Sequence, residues 1–123
     1  MAKKNLDFNK NEDAYKVLLT KLDHRLEKIY LGGGQKKIDK QRKKGKLLAR
    51  ERISELIDEN TDFLEFGSMA GFGMYEEHGG CPAAGVITGL GKVSNRLCVI
   101  VANDATVKAG AWFPITGKKN LRA

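Results

Sequence analysis

The sequence has no long apolar run. Its most sustained one, Leu97–Ala102, is far shorter than the ~20 residues a membrane-spanning helix requires. Cysteine is scarce as well: Cys81 and Cys98 stand alone, with no pair at metal-ligand spacing. That pattern fits free thiols in a reducing compartment, with no metal expected in this chain. Met1–Lys10 (MAKKNLDFNK) lacks the apolar stretch of a secretory signal and the Arg/Ser richness of a transit peptide, so the expected location is cytoplasmic. Only two prolines, Pro82 and Pro114, are present, and punctuation falls mainly to 14 glycines. No internal repeat occurs. At 123 residues the chain is one domain at most.

What is abundant is positive charge, and it is unevenly placed. The net charge is +7, yet residues 1–52 alone carry 16 Lys+Arg against 7 Asp+Glu. The basic character therefore belongs to the N-terminal part, most densely at Lys36–Arg52, where 9 basic residues face Asp39 and Glu51. Such a run can neutralise phosphates. Against a nucleic-acid role, no aromatic residue lies between Tyr30 and Phe63 to stack on bases. The balance favours a solvated or interface face over a nucleic-acid surface.

The chain divides into 1–58, a helical segment basic at 36–52, and 59–123, where strand and turn signals take over. Asn11–Leu31 reads as an amphipathic helix, with Tyr15, Leu18, Leu19, Leu22, Leu26 and Ile29 on one stripe and Asn11 as its cap. Gln35–Asp58 reads as a second helix weakened by Gly45, its apolar face made by Leu48, Ala49, Ile53, Leu56 and Ile57 while Arg50, Glu51 and Arg52 face water. Phe63–Phe66 alternates like a strand. Val86–Leu90 and Leu97–Ala102 read as two strands joined by a turn at Gly91–Asn95, the second buried on both faces. Asn103–Ala111 is a loop, and Pro114 suits the first turn of a helix running to Leu121. No stop signal follows that helix, so the domain is expected to be unfinished at Ala123.

Three constellations bear on chemistry. His78 and Cys81 lack a third ligand or an orienting partner, which disfavours a metal or nucleophile pair. Gly89 and Gly91 form a G-x-G that leads into a strand, whereas a dinucleotide fingerprint needs a helix there. Asp104 and Lys108 flank a strand-to-helix loop, the usual ligand position in open α/β folds, with small residues that allow close backbone approach. The competing reading is a tight turn in which Asp104 accepts backbone N–H bonds; both stand at this point.

Several segments, in order, resemble the carboxyltransferase (beta) subunits of biotin-dependent acyl-CoA carboxylases. They are GGGQKKIDKQRKKGKLLARERISELID (Gly32–Asp58), FLEFGSMAGFGMYE (Phe63–Glu76) and AAGVITGLGKVSNRLCVIVANDATVKAGAWFPITGKKNLRA (Ala83–Ala123). The form A-N-D-x-T-V-K-x-G is closer to the 3-methylcrotonyl-CoA type than to the propionyl-CoA type. Ala109 stands where the pattern has glycine, and Gly117 where it has valine.

The resemblance implies an α/β, crotonase/ClpP-like ββα fold, N-terminal part only, preceded by two helices. It implies transfer of a carboxyl group from carboxybiotin, carried on a biotin-bearing alpha subunit, to an acyl-CoA of leucine-derived or related branched type. Beta subunits would form a homo-oligomer when full length, with no membrane partner. Thr106, Val107, Lys108, Ala109, Gly110 and Ala111 are carried over as the loop lining the CoA thioester, and Lys108, Lys118 and Lys119 as phosphate binders. The oxyanion donors would lie downstream of Ala123 and in another subunit, so no catalytic residue is assigned here and the chain alone is expected to be inactive. The alternatives are a small basic nucleic-acid-binding module or an assembly module using Lys36–Arg52.

Overall fold

The computed structural model describes the backbone from Ala2 and the side chains from Asn5, both to Ala123. Its first element, α1 (Ala2–Tyr30), begins well before Asn11. No glycine or proline interrupts residues 2–10, so the helix runs through the expected cap. Only its end is seated. Ile29 is buried with Leu26 partly covered, whereas Tyr15, Leu18, Leu19 and Leu22 stay exposed. Gly32, at φ 54°, ends the helix by donating its N–H to the Ile29 carbonyl.

The expected second helix is two: α2 (Gln35–Lys43) and α3 (Ala49–Leu56). Gly45 at φ 67° breaks them, a left-handed conformation that glycine adopts without strain. The restart of α3 is fixed by Glu51, whose carboxylate accepts the Leu48 N–H at 2.8 Å. That bond, helped by Arg42, holds the Glu51 pKa below its ordinary value. Two faces differ from expectation. Arg50 is drawn into a two-toothed ion pair with the largely buried Glu65 and lies 4.2 Å from the Tyr30 ring centre, while Leu56 is exposed.

Three strands form one antiparallel sheet in the order β1 (Leu64–Phe66), β2 (Val86–Val93), β3 (Arg96–Asn103). The β2–β3 turn is tighter than expected, at Ser94 and Asn95 alone, with φ 51° and 62°. Both N–H groups at that turn donate to the Asp58 carboxylate at 2.7 Å. Gly91 belongs to the strand because packing requires it: a Cβ there would sit 2.8 Å from Ile57 Cγ2 and 3.0 Å from Ile100 Cδ1. At Gly89 a Cβ would collide with the Phe63 ring, which lies across the strand.

One side of the sheet packs on the end of α1 and on α3. Ile29, Ala49 and Ile53 share a cluster with Ala83, Ile87 and Ile100, so one core crosses residue 58. The expectation that Leu97–Ala102 is buried on both faces is corrected. Leu97, Val99 and Val101 are 70%, 52% and 49% exposed, because β3 is a sheet edge and no described element covers that side of it. A second cluster of Cys81, Val107 and Phe113, with Tyr75 stacked on Phe113 at 4.3 Å and Ile115 beside it, packs the loops on either side of β2 and β3 against the start of α4 (Pro114–Arg122).

Candidate functional site

The stretch from the end of β3 to the start of α4 is a loop braced by several hydrogen bonds. Asp104 begins it by donating its N–H to the Gly85 carbonyl at 3.0 Å. Its carboxylate then accepts the Thr106 N–H at 2.9 Å and the Thr106 hydroxyl at 2.6 Å. The tight turn therefore forms, and Lys108, Ala109 and Ala111 beyond it stay exposed. Thr106 Oγ1 in turn accepts the N–H of Gly33, from the linker between α1 and α2, at 2.9 Å. Sequence reasoning missed this contact. Its signal lay in Gly32–Gly34: a Cβ on Gly33 would strike the Thr106 carbonyl.

The expected loop residues divide by which way they turn. Thr106 and Val107 are 3% and 1% exposed, so their side chains face inward and only their backbone can meet a ligand. Lys108 and Ala109 are exposed, with φ of 46° and 54°, and Gly110 follows at 85°. This left-handed turn explains why glycine suits position 109. Ala111 is exposed beside Trp112, whose indole N–H donates to Asn103 at 3.2 Å while Asn103 Nδ2 donates to the Gly110 carbonyl. Lys108 Nζ lies 4.1 Å from the Phe113 ring centre, held there by the ring quadrupole.

The lysines of α4 part company. Lys118 is exposed. Lys119 is 7% exposed and donates to the Ala83 and Val86 carbonyls at 2.8 and 2.7 Å. It is therefore not free to meet a phosphate, a correction that helix periodicity explains, since consecutive residues on a helix point about 100° apart. Burial pulls the Lys119 pKa down to about 8, opposed by the nearby Glu65 carboxylate. Thr116, fully buried one turn earlier, donates to the Ala84 carbonyl at 2.7 Å and accepts the Phe113 N–H at 3.1 Å.

Beside Asp104–Thr106 opens a cleft of about 370 Å³ whose wall includes Lys46 and Arg52. Within the basic run, Arg42 pairs with Glu51, Arg50 with Glu65, and Arg52 donates to the Asn103 carbonyl at 2.8 Å. Part of that charge is thus structural. His78 is exposed, Cys81 is buried with its thiol pKa raised by that burial, and no group of three metal-ligating side chains occurs among the described residues. No described helix is long and apolar enough to cross a membrane.

Residues 40–123 match the carboxyl transferase domain family. A methylcrotonoyl-CoA carboxylase beta chain of Dictyostelium discoideum is 55% identical over 105 residues, which are 85% of this chain and 18% of that protein. A biotin-dependent 3-methylcrotonyl-coenzyme A carboxylase beta1 subunit of Mycobacterium tuberculosis is 47% identical, over 90% of this chain and 21% of the relative. The chain thus spans about a fifth of the length of these relatives. Among solved structures, the transcarboxylase 12S hexamer core with methylmalonyl-coenzyme A bound superposes with TM-score 0.75 at 30% identity. That match covers 87% of this chain and 21% of the other. The α/β, crotonase-like class is thereby shown. The chain belongs to the carboxyl transferase domain family.

Proposed function

We propose that this chain supplies one wall of an acyl-CoA site in a biotin-dependent acyl-CoA carboxylase of the methylcrotonoyl-CoA or propionyl-CoA type. The observation that carries the reading is the braced loop Thr106–Ala111, presented at the strand-to-helix junction in a chain of this family. The left-handed turn at Lys108–Gly110 bares backbone on the solvent side, so a thioester can approach it closely. Lys108 and Lys118, with Lys46 along the adjacent cleft, suit the phosphates of CoA as point charges.

In this reading carboxybiotin is a co-substrate, delivered on a biotin-carrying alpha subunit rather than held by this chain. Carboxyl transfer needs fixed N–H donors for the oxyanions that develop on the acyl-CoA enolate and on the ureido oxygen. Those donors belong to segments that the chain does not span and to a second beta subunit, so the isolated chain binds without turning over. The long α1 precedes the region, 40–123, that matches the family.

The test is a titration of 3-methylcrotonyl-CoA and of propionyl-CoA into the ¹⁵N-labelled chain. Saturable shifts of the Lys108–Ala111 amides are expected, with radiolabelled carboxylation at background. Absence of any shift at millimolar ligand, or clear turnover by the chain alone, overturns the reading. In a complete subunit, Lys118→Glu should raise the acyl-CoA KM severalfold with kcat nearly unchanged; steady-state kinetics with turnover alone affected would count against a phosphate role.

A further inference from the structure

Two buried side chains of α4, Thr116 and Lys119, have no part in the site described above, yet both point at one short segment. That segment, Ala83-Ala84-Gly85, is left-handed throughout, with φ of 52°, 56° and 69°. An alanine in this region is strained by roughly 1–2 kcal/mol, so two in succession persist only where the surroundings hold them. The surroundings here are a set of donors. Lys119 Nζ donates to the carbonyls of Ala83 and Val86, Thr116 Oγ1 to that of Ala84, and Asp104 N–H to that of Gly85. Every carbonyl from Ala83 to Val86 is taken, three of the four by two side chains one helical turn apart.

The fourth donor links this segment to the loop. The Asp104 carboxylate carries Thr106, and Thr106 receives Gly33. Gly85 also abuts the loop directly, since a Cβ there would lie 3.4 Å from Val107 Cγ1. We infer that Lys119 and Thr116 are positioning residues, which clamp the left-handed Ala83–Gly85 turn and through it set the Asp104–Ala111 loop. This rests on the reading of that loop as the acyl-CoA wall for its functional meaning, but the mechanical claim stands separately.

The clamp does not depend on charge. A neutral amine keeps two N–H groups, matching the two carbonyls in place. The lowered Lys119 pKa, with Glu65, Arg50 and Cys81 as its charged and titratable neighbours, fits a group held for its donors.

The experiment is amide hydrogen exchange on the ¹⁵N-labelled 123-residue chain, comparing Lys119→Met, Lys119→Gln, Thr116→Val and Lys118→Met with the parent. Lys119→Met and Thr116→Val are expected to speed exchange at Asp104, Thr106 and Gly33 at least tenfold while Gly91 and Ile100 in the sheet keep their rates. Lys119→Gln, which restores N–H donors without charge, is expected to recover part of that protection, and Lys118→Met to match the parent. Equal acceleration at all amides would mean general destabilisation and overturn the inference, as would unchanged loop exchange in Lys119→Met. If Lys119→Met fails to fold, Lys119→Gln and Thr116→Val carry the test alone. Acyl-CoA titration of the same samples separates the two proposals: selective loop exchange without ligand binding upholds the clamp and overturns only the acyl-CoA reading.

Discussion

Ala109 is an L-residue in a conformation that glycine adopts freely, at φ 54° and exposed to solvent. Its side chain therefore adds strain without buried contact. Ala109→Gly should leave the chain more stable by about 0.5 kcal/mol, the relief of left-handed strain exceeding the added freedom of the unfolded chain. Urea denaturation followed by circular dichroism reads this, and a fall in midpoint would refute it. Lys119 gives a pH signature. Its folded pKa, about 8, lies below the ordinary 10.5, so between these values the unfolded chain binds more protons and stability rises with pH. Cys81 works oppositely: its raised folded pKa makes stability fall above its ordinary 9.0. The clean window for Lys119 is thus pH 8 to 9. Denaturation midpoints should climb there for the parent and stay flat for Lys119→Met.

At the scale of elements, the sheet and α4 make opposite demands on glycine. Gly117 sits within α4 with open space on its outer side, no atom lying within 4 Å of where a Cβ would stand, so its only effect is the loss of helix propensity. Gly117→Ala should stabilise by roughly 0.5–1 kcal/mol. Gly89 is the reverse, since an added methyl meets the Phe63 ring and the Leu64 carbonyl. Gly89→Ala should cost about 1–3 kcal/mol, as overpacking does; thermal unfolding of the pair measures both signs in one experiment. These positions also show what could be read beforehand. Strand and helix signals located β1, β2, β3 and α4 and left Asn103–Ala111 as a loop, because those signals are local; the narrower Thr106–Ala111 came from the family resemblance alone. The strand role of Gly91 and the inward turn of Lys119 were hidden, because each depends on a partner distant in sequence; at Gly45 the signal was local, but a lone glycine does not say whether a helix is weakened or broken. The same holds for Gly33 against Thr106, where a glycine run signals only that some backbone comes close.

The whole molecule leaves much apolar surface bare. The stripe of α1 at Tyr15, Leu18, Leu19 and Leu22 and the open side of β3 at Leu97, Val99 and Val101 are exposed in the chain by itself. Such patches associate in water, and an uncovered edge strand adds free backbone donors and acceptors. The isolated chain should self-associate at tens of micromolar in sedimentation velocity, and the double substitution Leu97→Lys, Val99→Lys should shift it towards monomer. A single sedimenting species of monomer mass in the parent would contradict this. The long α1 has a further mechanical meaning. At 29 residues it extends roughly 43 Å, and its hold on the core is confined to the last turns around Leu26 and Ile29. It is a lever whose fulcrum adjoins Gly33, and Gly33 is bonded to Thr106. A tilt of about 5° at that seat swings the far end by roughly 3 Å. Conversely, whatever grips the distant tip works with mechanical advantage on the hinge beside the loop.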